Sequence, residues 1–392
     1  MKTICIFTGS RAEYGSLRPV ITALSNKEGI KVQLLVSGMH LSPEFGLTYR
    51  EIEKDGFVID EKVEMLLSSD TPAAISKSIG IGIIGFADAL ERMHPDIVII
   101  LGDRFEALAV AITAMVARIP IAHLCGGEVT EGAIDEAMRH AITKMSHLHF
   151  TAAEEYRNRI IQLGEDPNRV YCVGGPGLDN LKTMTLLTKN EIENFLGAQL
   201  LSHNYLVTFH PATLDKEPVE VQFGNLLDIL DEQTDSLIVF TKANADANGR
   251  IINQMIDAYV DKNRERARAF HSLGQLRYYS ILQYVDAVVG NSSGGVWEAP
   301  SFKIGSINIG TRQSGRLKAV SVIDCDTTRD SIRSAFRRLY SPEFSDLLKN
   351  VTNPYGDGKA SERIAEIVCN INPDSLKSKK FYDLLPGVNP VI

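Results

Sequence analysis

Residues 97–124 read IVIILGDRFEALAVAITAMVARIPIAHL and combine three patterns. Ile97–Leu101 and Ile119–Leu124 are short runs rich in branched apolar residues, typical of strands that are buried on both faces. Between them, Phe105–Arg118 has the length and apolar content of a helix. Because parallel strands need a long crossover connection, usually a helix, this stretch predicts a β-α-β unit of a parallel sheet.

The same alternation continues along both halves of the chain. Further strands are predicted at Thr3–Thr8, Val32–Ser37, Leu148–Thr151, Val170–Val173, Tyr205–Phe209, Leu237–Thr241, Ala267–His271, Ala287–Gly290 and Ser306–Ile309. Further helices are predicted at Leu17–Asn26, Tyr49–Asp55, Ala73–Arg92, Asp135–Met145, Glu154–Leu163, Lys189–Leu196, Val219–Glu232, Ala247–Val260, Gln275–Tyr284, Trp297–Phe302 and Lys359–Asn370. The pattern indicates an α/β protein with two doubly wound domains facing a cleft, and ligands should bind where strands end at that cleft.

The length of 392 residues is too great for one ordinary core and suits two. We place the domains at residues 1–181, 182–358 and 359–392, the last being a C-terminal helix and tail packed on the first domain. A net charge of −8 argues against a nucleic-acid partner. No apolar run approaches the length of a membrane span, and the N-terminal run is too short for a signal peptide, so we expect no membrane partner.

The cysteines are odd in number, scattered and without CxxC spacing. This usage fits reduced thiols and a cytoplasmic location. The five positions are Cys5, Cys125, Cys172, Cys325 and Cys369.

Acidic residues are concentrated just after two of the predicted strands. Residues 123–149 read HLCGGEVTEGAIDEAMRHAITKMSHLH and contain Glu128, Glu131, Asp135 and Glu136, while Asp103 follows Leu101. Carboxylates at strand ends are costly for a core and useful for proton chemistry. The alternative readings are a helix cap for Asp103 and surface pairs at i,i+4 for the helix, Asp135 with Arg139 and Glu136 with His140.

The histidines of this stretch also raise the question of zinc. His123, Cys125, His147 and His149 are possible ligands, but no tight pair stands near a second pair at the spacing of a zinc site. Alternating His147 and His149 fit one face of a strand equally well, so no metal is predicted.

The clearest local motif reads GNSSGGVWE at Gly290–Glu298, where a strand turns through small residues into a helix. The hydroxyls of Ser292 and Ser293 and the amides of Gly294 and Gly295 suit a diphosphate, and Glu298 suits the hydroxyls of a ribose. A serine cap with a surface glutamate is the alternative, but two adjacent glycines at a helix start favour the phosphate site.

Three further positions are candidates for anion binding or catalysis. Arg11 lies in the TGSRAEYG turn after the first strand, His210 follows the strand that ends at Phe209, and Arg312 lies in the loop TRQSGR. Each has an equally weighted alternative as an ordinary turn, structural or surface residue.

Together these motifs resemble the UDP-N-acetylglucosamine 2-epimerase family, in its hydrolysing branch. The resemblance runs from TGSRAEYG through GMH, GDRFE, the acidic stretch, FHP, GNSSGG and TRQSGR and covers nearly the whole chain. It implies the GT-B fold, with a C-terminal helix that crosses back to the first domain. The non-hydrolysing branch carries Gln-His-Arg where this chain has Gly38-Met39-His40, so the resemblance implies hydrolysis.

By resemblance, UDP-GlcNAc and water would give N-acetylmannosamine and UDP through a 2-acetamidoglucal, for sialic-acid-type biosynthesis. Asp103, Glu128, Asp135 and His210 would be catalytic. The UDP would be held by Arg11, His271, Ser292, Ser293, Gly294, Glu298 and Arg312. The scheme requires no metal and no cofactor, and family members tend to form homodimers or homotetramers.

One position departs from the family pattern. Many relatives read His-x-Glu-Gly-Gly after the strand, and here Cys125 stands where that glutamate would be, with Glu128 as the nearest replacement. The alternatives are the same reaction on UDP-2,4-diacetamido-2,4,6-trideoxyglucose for legionaminic-acid-type sugars, a GT-B glycosyltransferase, and a non-catalytic nucleotide-sugar-binding module.

Overall fold

The structure, a computed structural model, describes residues 1–69, 71–130, 134–211, 217–243 and 249–384. The chain forms two compact units. Unit 1 comprises Met1–Lys182 and Tyr355–Ile392, and unit 2 comprises Thr183–Pro354. The chain therefore passes between units next to Lys182 and Tyr355, close to the boundaries at 181 and 358 placed from the sequence.

Each unit is built on one parallel sheet, which confirms the predicted α/β class. Unit 1 has the order β3-β2-β1-β4-β5-β6-β7, with β1 Lys2–Thr8, β2 Ile30–Ser37, β3 Glu61–Val63, β4 Ile97–Leu101, β5 Ile121–Leu124, β6 Leu148–Thr151 and β7 Val170–Cys172. Unit 2 has the order β10-β9-β8-β11-β12-β13, with β8 His203–Thr208, β9 Ser236–Thr241, β10 Ala267–Phe270, β11 Ala287–Gly290, β12 Gly305–Ile309 and β13 Val322–Cys325.

The helices lie in the connections between strands. They are α1 Arg11–Ser25, α2 Tyr49–Lys54, α3 Pro72–Met93, α4 Phe105–Val116, α5 Asp135–Met145, α6 Glu154–Gln162, α7 Asn180–Thr183, α8 Lys189–Leu196, α9 Val219–Asp231, α10 Gly249–Lys262, α11 Gly274–Leu282, α12 Gly294–Trp297, α13 Arg329–Leu339, α14 Pro342–Lys349 and α15 Ala360–Asn370. The first residues of the predicted helix Ala247–Val260 lie outside the described residues.

The core of unit 1 covers both faces of its sheet. Along β1, Ile4 and Ile6 belong to one buried cluster, and Cys5 and Phe7 belong to another. Because successive side chains of a strand point to opposite faces, the continuous apolar run places one cluster on each side. This arrangement explains why the strands were readable as unbroken apolar stretches.

The predicted start of the first helix was wrong. The helix begins at Arg11 rather than Leu17, because Ser10 and Glu13 form a capping box: each side chain bonds the backbone of the other. The amphipathic pattern begins only further along the chain, whereas the cap determines where the helix starts.

Among the described residues, two strands, the four-residue helix α7 and two longer helices were not predicted. The strand β3 is three residues long and contains Glu61 and Lys62, so it has no apolar run. The strand β13 lies at a sheet edge and contains Asp324. The helices α13 and α14 were missed in the same C-terminal part of unit 2, where charged residues dominate the sequence of α13.

The expectation that no stretch reaches the length of a membrane span was wrong for α3. Within the described residues this one helix is long and apolar enough to cross a membrane by length and composition. Its buried residues Ala74, Ser78, Gly82 and Phe86 recur every fourth position, which is the spacing of one helical face. That face packs in unit 1, where a side chain at Gly85 would collide with Val63.

The C-terminal helix α15 packs on α1 in unit 1, as the fold predicted from the sequence requires. The Asp179 carboxylate accepts hydrogen bonds from the amides of Ala360 at 3.1 Å and Ser361 at 2.6 Å at the start of α15. At its end, the Lys2 ammonium donates to the carbonyls of Val368 and Cys369, both at 2.8 Å. A negative charge at the start and a positive charge at the end both stabilise a helix in place.

Each sheet has one topological switch point, where the strand order reverses direction. In unit 1 it lies between β1 and β4, and in unit 2 between β8 and β11. Ligands of open α/β sheets bind just beyond the carboxyl ends of these strands. Asp103 follows β4 and His210 follows β8, so these two predicted site residues lie at the switch points, and Asn291 follows β11.

Candidate active site

Arg139 is the centre of the polar cluster in unit 1. Its side chain is 3% exposed and lies on α5, with the guanidinium bonded to the carboxylate of Asp103. It also donates to the carbonyl of Glu128 at 2.7 Å, the hydroxyl of Thr130 at 2.7 Å and the carboxylate of Glu136 at 2.8 Å. One buried cation therefore ties together three segments that follow or belong to different elements.

Asp103 does not cap the helix that follows it. The cap position of α4 is Arg104, which makes no side-chain capping bond. The carboxylate of Asp103 bonds Arg139 instead, so the alternative prediction that Asp103 is a helix cap is wrong.

The alternative of a surface pair between Asp135 and Arg139 is also wrong within the described contacts, because Arg139 is buried and pairs with Asp103 and Glu136. The other pair is present, with Glu136 3.3 Å from His140.

Asp135 begins α5 and lies within electrostatic reach of Asp103. Burial, first, and the negative charge of Asp103, second, raise the pKa of the Asp135 carboxyl, against the opposing influence of Arg104 and Arg139. A carboxyl whose pKa is raised holds a proton more readily than an exposed carboxyl, which favours a role in proton transfer.

Cys125 stands in the turn after β5, in the same electrostatic environment. Burial raises the pKa of its thiol, and the charges of Glu128 and Asp103 raise it further. The thiol is therefore neutral and poorly suited to act as a base or nucleophile. Glu128 is half-buried and close enough to influence Cys125. Asp103, Glu128 and Asp135 are thus brought together, whereas Glu131 lies outside the described residues.

His123, at the end of β5, bonds the backbone of the turn that carries Asp103. Its Nε2 lies 2.7 Å from the carbonyl of Gly102, which can only accept, so this nitrogen carries the proton and Nδ1 accepts from the Thr143 hydroxyl at 3.1 Å. Burial lowers the pKa of His123 to about 3, so the ring is neutral. Gly102 has a positive φ of 76°, and the histidine fixes this turn immediately before Asp103.

The remaining histidines of the stretch also have structural partners. His149 is buried and bonds Glu165 at 3.0 Å, and His147 Nδ1 accepts the amide of Ile121 at 3.2 Å. Within the described ranges, no group of three or more potential metal ligands is found.

After β4 lies a second charged group, to which the sequence analysis assigned no role. Arg104 forms a two-pronged pair with the fully buried Glu106, at 3.0 and 3.2 Å, and lies 3.9 Å from Glu13. Arg11, predicted to bind UDP, is exposed and 3.3 Å from Glu51 rather than paired with Glu13. The GDRFE motif contained the signal for Arg104 and Glu106, but spacing alone did not reveal the pair.

His40 of the GMH motif is buried between two threonines. Its ring nitrogens lie 3.0 Å from Thr8 Oγ1 and 2.8 Å from Thr48 Oγ1. Burial lowers the pKa of His40 to about 4, so it is neutral and joins β1, β2 and the start of α2.

Asn291 organises the switch point of unit 2. Its side chain accepts the amide of His210 at 2.7 Å and donates to the carbonyl of the same residue at 2.7 Å. Its own carbonyl accepts from the side chains of Arg312 at 3.0 Å and Gln313 at 2.8 Å. Asn291 therefore positions His210 and Arg312, two residues predicted from the sequence, although it was not itself singled out.

The turn after β11 contains backbone amides and hydroxyl groups that can donate hydrogen bonds to a ligand. Ser292 Oγ accepts the amide of Gly294 at 3.4 Å, while Ser293, the residue before α12, makes no side-chain capping bond. Within the described residues, the amides of Ser292 and Ser293 have no acceptor. Two backbone donors beside two hydroxyls at a switch point form an arrangement suited to an anion.

Glu298 follows α12 and has a shielded carboxylate. Its Oε2 atom is buried and has no hydrogen-bond partner among the described residues. Burial raises the pKa of Glu298 to about 7, while its own amide and the charge of Arg316 oppose the shift. Glu298 is therefore not the solvated surface charge that the alternative reading proposed.

The last predicted UDP-binding residue, His271, is exposed and follows the edge strand β10. It is two strands away from the switch point in the order β10-β9-β8-β11. Among the described residues, no hydrogen bond or ion pair joins His271 to Asn291, Ser292 or Ser293.

Comparisons with known proteins agree with this architecture. A protein of Campylobacter jejuni named GDP/UDP-N,N'-diacetylbacillosamine 2-epimerase (hydrolyzing) is 42% identical over 384 residues, which are 98% of this chain and 99% of the relative. A protein of Legionella pneumophila named UDP-N,N'-diacetylbacillosamine 2-epimerase (hydrolyzing) is 35% identical over 372 residues, 95% of this chain and 96% of the relative.

A solved structure and a family model extend the comparison. The crystal structure of UDP-GlcNAc 2-epimerase from Neisseria meningitidis bound to UDP-GlcNAc superposes with a TM-score of 0.79 at 19% identity, covering 95% of this chain and all of that one, and so supports the fold. The family model described as UDP-N-acetylglucosamine 2-epimerase matches residues 22–369. With a match over most of its length, the chain belongs to the UDP-N-acetylglucosamine 2-epimerase family.

Proposed function

We propose that the protein is a hydrolysing 2-epimerase, which converts a UDP-linked 2-acetamido sugar and water to UDP and the free sugar epimerised at C2. The observation that carries the proposal is the cluster of Asp103, Glu128 and Asp135 around Arg139 at the strand ends of unit 1. The donors after β8 and β11 in unit 2 supply the complementary function of anion binding.

The chemistry has two steps. In the first, a carboxylate removes the proton from C2 while the C1–O bond breaks, so that UDP leaves and a 2-acetamidoglucal forms. In the second, water adds at C1 and a proton returns to C2 on the opposite face. Proton removal from a weakly acidic carbon needs a positioned base, and charge on the departing diphosphate needs nearby donors.

The carboxyl groups of unit 1 have different proposed roles: one exchanges a proton with the substrate, and another is held in a fixed orientation. Asp135, whose pKa burial raises, is the group suited to exchange a proton with C2. Asp103 is held by the Arg139 guanidinium, which fixes the direction of its carboxylate. Glu128 completes the set beside the neutral thiol of Cys125.

We assign binding of the UDP part of the substrate to residues that mostly follow strands of unit 2. His210 and Arg312, both bonded to Asn291, would hold the diphosphate and its developing charge, and Ser292, Ser293 and Gly294 would donate to it. Glu298 would accept from the ribose. Arg11 and the exposed His271 belong to the same proposal, and the cluster of unit 1 would act on the sugar.

The substrate is the finer question. The sequence reading placed UDP-GlcNAc first and the 2,4-diacetamido-2,4,6-trideoxy sugar second. Both relatives described above carry the name of N,N'-diacetylbacillosamine, whereas the superposed UDP-GlcNAc enzyme is 19% identical. We therefore place UDP-2,4-diacetamido-2,4,6-trideoxyglucose first and UDP-GlcNAc second. The two differ only at C4 and C6, away from the reacting carbons.

The test is product analysis with each nucleotide sugar in D₂O. The expected products are UDP and a free sugar with the configuration of mannose at C2 and deuterium on that carbon. A higher kcat/KM for the diacetamido sugar would support our order of substrates. Release of UDP without any free 2-epimerised sugar would contradict the proposal, and release that depends on an added sugar acceptor would point to a glycosyltransferase.

A further inference from the structure

The C-terminal tail after α15 contacts the end of α5 in unit 1. Its anchor is Lys379, whose side chain is 21% exposed and whose ammonium lies 2.7 Å from the carboxylate of the buried Glu165. The same ammonium donates to the carbonyls of Lys144 at 2.7 Å and Thr143 at 3.4 Å, and to that of Ser146. At the C-terminal end of a helix the carbonyls lack partners from the next turn, and a positive charge is favourable there.

The tail continues over the end of α6. The amide of Tyr382 donates to the carbonyl of Gly164 at 2.9 Å, and Leu384 packs against the apolar cluster that contains Ile160. Gly164 has a positive φ of 86°, and a side chain there would overlap the ring of Phe381. One short segment therefore holds the C-terminal ends of two consecutive helices.

These two helices also hold the acidic segment of the candidate active site. From α5, the guanidinium of Arg139 binds the carboxylate of Asp103 and the carbonyl of Glu128. From α6, the guanidinium of Arg159 donates to the carbonyl of Gly127, immediately before Glu128. A displacement of either helix would therefore move the proposed catalytic groups relative to one another.

A second set of contacts leads from the tail to Asp103. Thr143, whose carbonyl accepts from Lys379, donates through its hydroxyl to Nδ1 of His123 at 3.1 Å. Nε2 of His123 in turn lies 2.7 Å from the carbonyl of Gly102, the residue before Asp103. The anchor of the tail is thus connected with both turns that carry the acidic residues.

We propose that Lys379 is a positioning residue of the reaction. It holds the C-terminal end of α5 so that Asp103, Glu128 and Asp135 keep their mutual arrangement. The inference rests on the proposed function and adds to it a residue that acts through α5 rather than on the substrate. Because a displacement of about 1 Å can lower the rate of a reaction by about 10²-fold, loss of the anchor should appear in kcat.

The experiment compares the full-length wild type with Lys379→Met, which keeps a long side chain but removes the ammonium. We expect kcat to fall by about tenfold or more, while the Kd of UDP changes by less than about twofold, because the proposed UDP-binding residues lie mainly in unit 2. Lys379→Arg restores the charge and the donors and should recover most of the lost kcat. Steady-state kinetics and calorimetry are the measurements, and urea unfolding establishes that each variant is folded under the assay conditions.

Lys377→Met is the matched control, because Lys377 is exposed in the same tail and pairs with Asp374 at 2.7 Å. Its kinetics should match those of the wild type. If Lys379→Met lowers only the urea midpoint, or lowers kcat and UDP affinity by the same factor, Lys379 has only a structural role and the inference is wrong.

Arg169→Met takes the place of Lys379→Met if the latter does not fold. It removes the bonds from the Arg169 guanidinium to the carbonyls of Ser375 at 3.0 Å and Ser378 at 3.2 Å and so loosens the same tail from its surface. We then expect kcat to fall by about threefold or more at an unchanged Kd of UDP. An unchanged kcat would overturn the inference.

Hydrogen exchange of the free protein tests the same connection without turnover. Residues 125–130 should exchange about threefold or more faster in Lys379→Met than in the wild type, and at the wild-type rate in Lys377→Met. If the wild type releases no sugar from either nucleotide sugar, the proposed function falls, and faster exchange in Lys379→Met would still support the connection between the tail and this turn. Unchanged exchange would overturn that connection as well.

Discussion

The Arg139 cluster concentrates charge in a small, mostly buried volume of unit 1. A buried guanidinium is tolerated only when acceptors surround it, and here they come from Asp103, Glu128, Thr130 and Glu136. Because these acceptors belong to different segments, the cation sets the mutual positions of the groups that the proposed reaction uses.

The first prediction concerns Asp103→Asn. The substitution keeps the size of the side chain but removes its negative charge and its capacity for proton transfer. We expect kcat to fall by about 10²-fold to 10⁴-fold, while the Kd of UDP changes by less than about threefold. Steady-state kinetics and calorimetry measure the two quantities.

Asp88→Asn is a suitable control, because Asp88 is exposed on α3 in the same unit. Its kinetics should match those of the wild type. A near-normal kcat for Asp103→Asn would refute the assignment of this carboxylate to the chemistry.

The second prediction concerns the buried carboxyl of Glu13. Burial, first, and the charge of Glu106 raise the pKa of Glu13 to about 7 from its usual value of 4.5, although the amides of Gly9 and Ser10 oppose the shift. Between these two values the folded state binds more protons than the unfolded state. The free energy of unfolding contributed by Glu13 is therefore greatest at low pH and decreases as the pH rises through this window.

Glu13→Gln does not titrate and should weaken this pH dependence. The measurement is the urea midpoint of unfolding at about pH 5 and about pH 8 for both proteins. The change in the free energy of unfolding from about pH 5 to about pH 8 should be less negative, or more positive, in the variant than in the wild type. Other contributions remain in both proteins: Glu298, whose pKa burial raises to about 7, and the buried His40 and His123, whose lowered pKa values act in the opposite direction. Equal pH dependence in both proteins would contradict the assignment.

At the level of single residues, the sequence predicted where site residues lie relative to the strands, but not which atoms surround their side chains. Asp103, His210 and Ser292 were identifiable because they follow strands in chain order. The burial of Glu13 and Glu298 and the role of Asn291 were not, because spacing along the chain does not report which atoms from other segments surround a side chain.

The strands β8 and β11 show how one element sets the geometry of the next. Gly290 ends β11 with a φ of 128°, and a β-carbon there would overlap the carbonyl oxygen of Thr208 at the end of β8. The two strand ends approach closely enough for the Asn291 side chain to bond the backbone of His210 on both sides. The glycine is therefore required by this close approach.

The third prediction is that Gly290→Ala separates the two strand ends. The new methyl group must displace the backbone of β8, so we expect unfolding at lower denaturant concentration and a UDP affinity reduced by about tenfold or more. Urea unfolding and calorimetry are the measurements.

Gly224→Ala is the matched control. Gly224 lies within α9, and an added β-carbon there would meet only Met255 Cε at 3.8 Å. Alanine is a better helix former than glycine, so this variant should be as stable as the wild type or about 1 kcal/mol more stable. If Gly290→Ala behaved like Gly224→Ala, the close approach of the strands would be unimportant for the site.

At the level of elements, buried strands and most long helices were predicted to within a few residues. The start of α1 was placed too late along the chain, and the polar helix α13 and the edge strands were missed. The helix α5 was predicted at its observed bounds, because its apolar and polar positions recur with helical spacing. The edge strands β3 and β13 are stabilised by pairing with β2 and β12, and such pairing leaves no apolar signal in the strand itself.

For the whole molecule, each unit has its own parallel sheet and its own buried core. In the proposed reaction, proton transfer is assigned to residues of unit 1 and diphosphate binding mainly to residues of unit 2. Substitutions in the two units should then act on different kinetic parameters.

The fourth prediction combines Asp135→Asn in unit 1 with Ser293→Ala in unit 2. Alone, the first should lower kcat by about 10²-fold or more, and the second should raise KM by about threefold to tenfold. In the double variant the two effects on kcat/KM should multiply, because the residues belong to different units and are proposed to act on different parts of the substrate. A combined effect that departs from the product by more than about tenfold would show that the units do not divide the work in this way.

The amino-acid sequence by itself determined the α/β class, the two-sheet organisation and the family, because apolar runs of strand length, helix-spaced connections and the order of short motifs are properties of the linear chain. Only the tertiary structure decided which charges are buried together. It paired Asp103 with Arg139, made the His123 ring neutral beneath that turn, placed Asn291 across the ends of β8 and β11, and buried the Glu298 carboxylate. These features depend on contacts between residues far apart in the chain, and burial by those contacts is what shifts the pKa values.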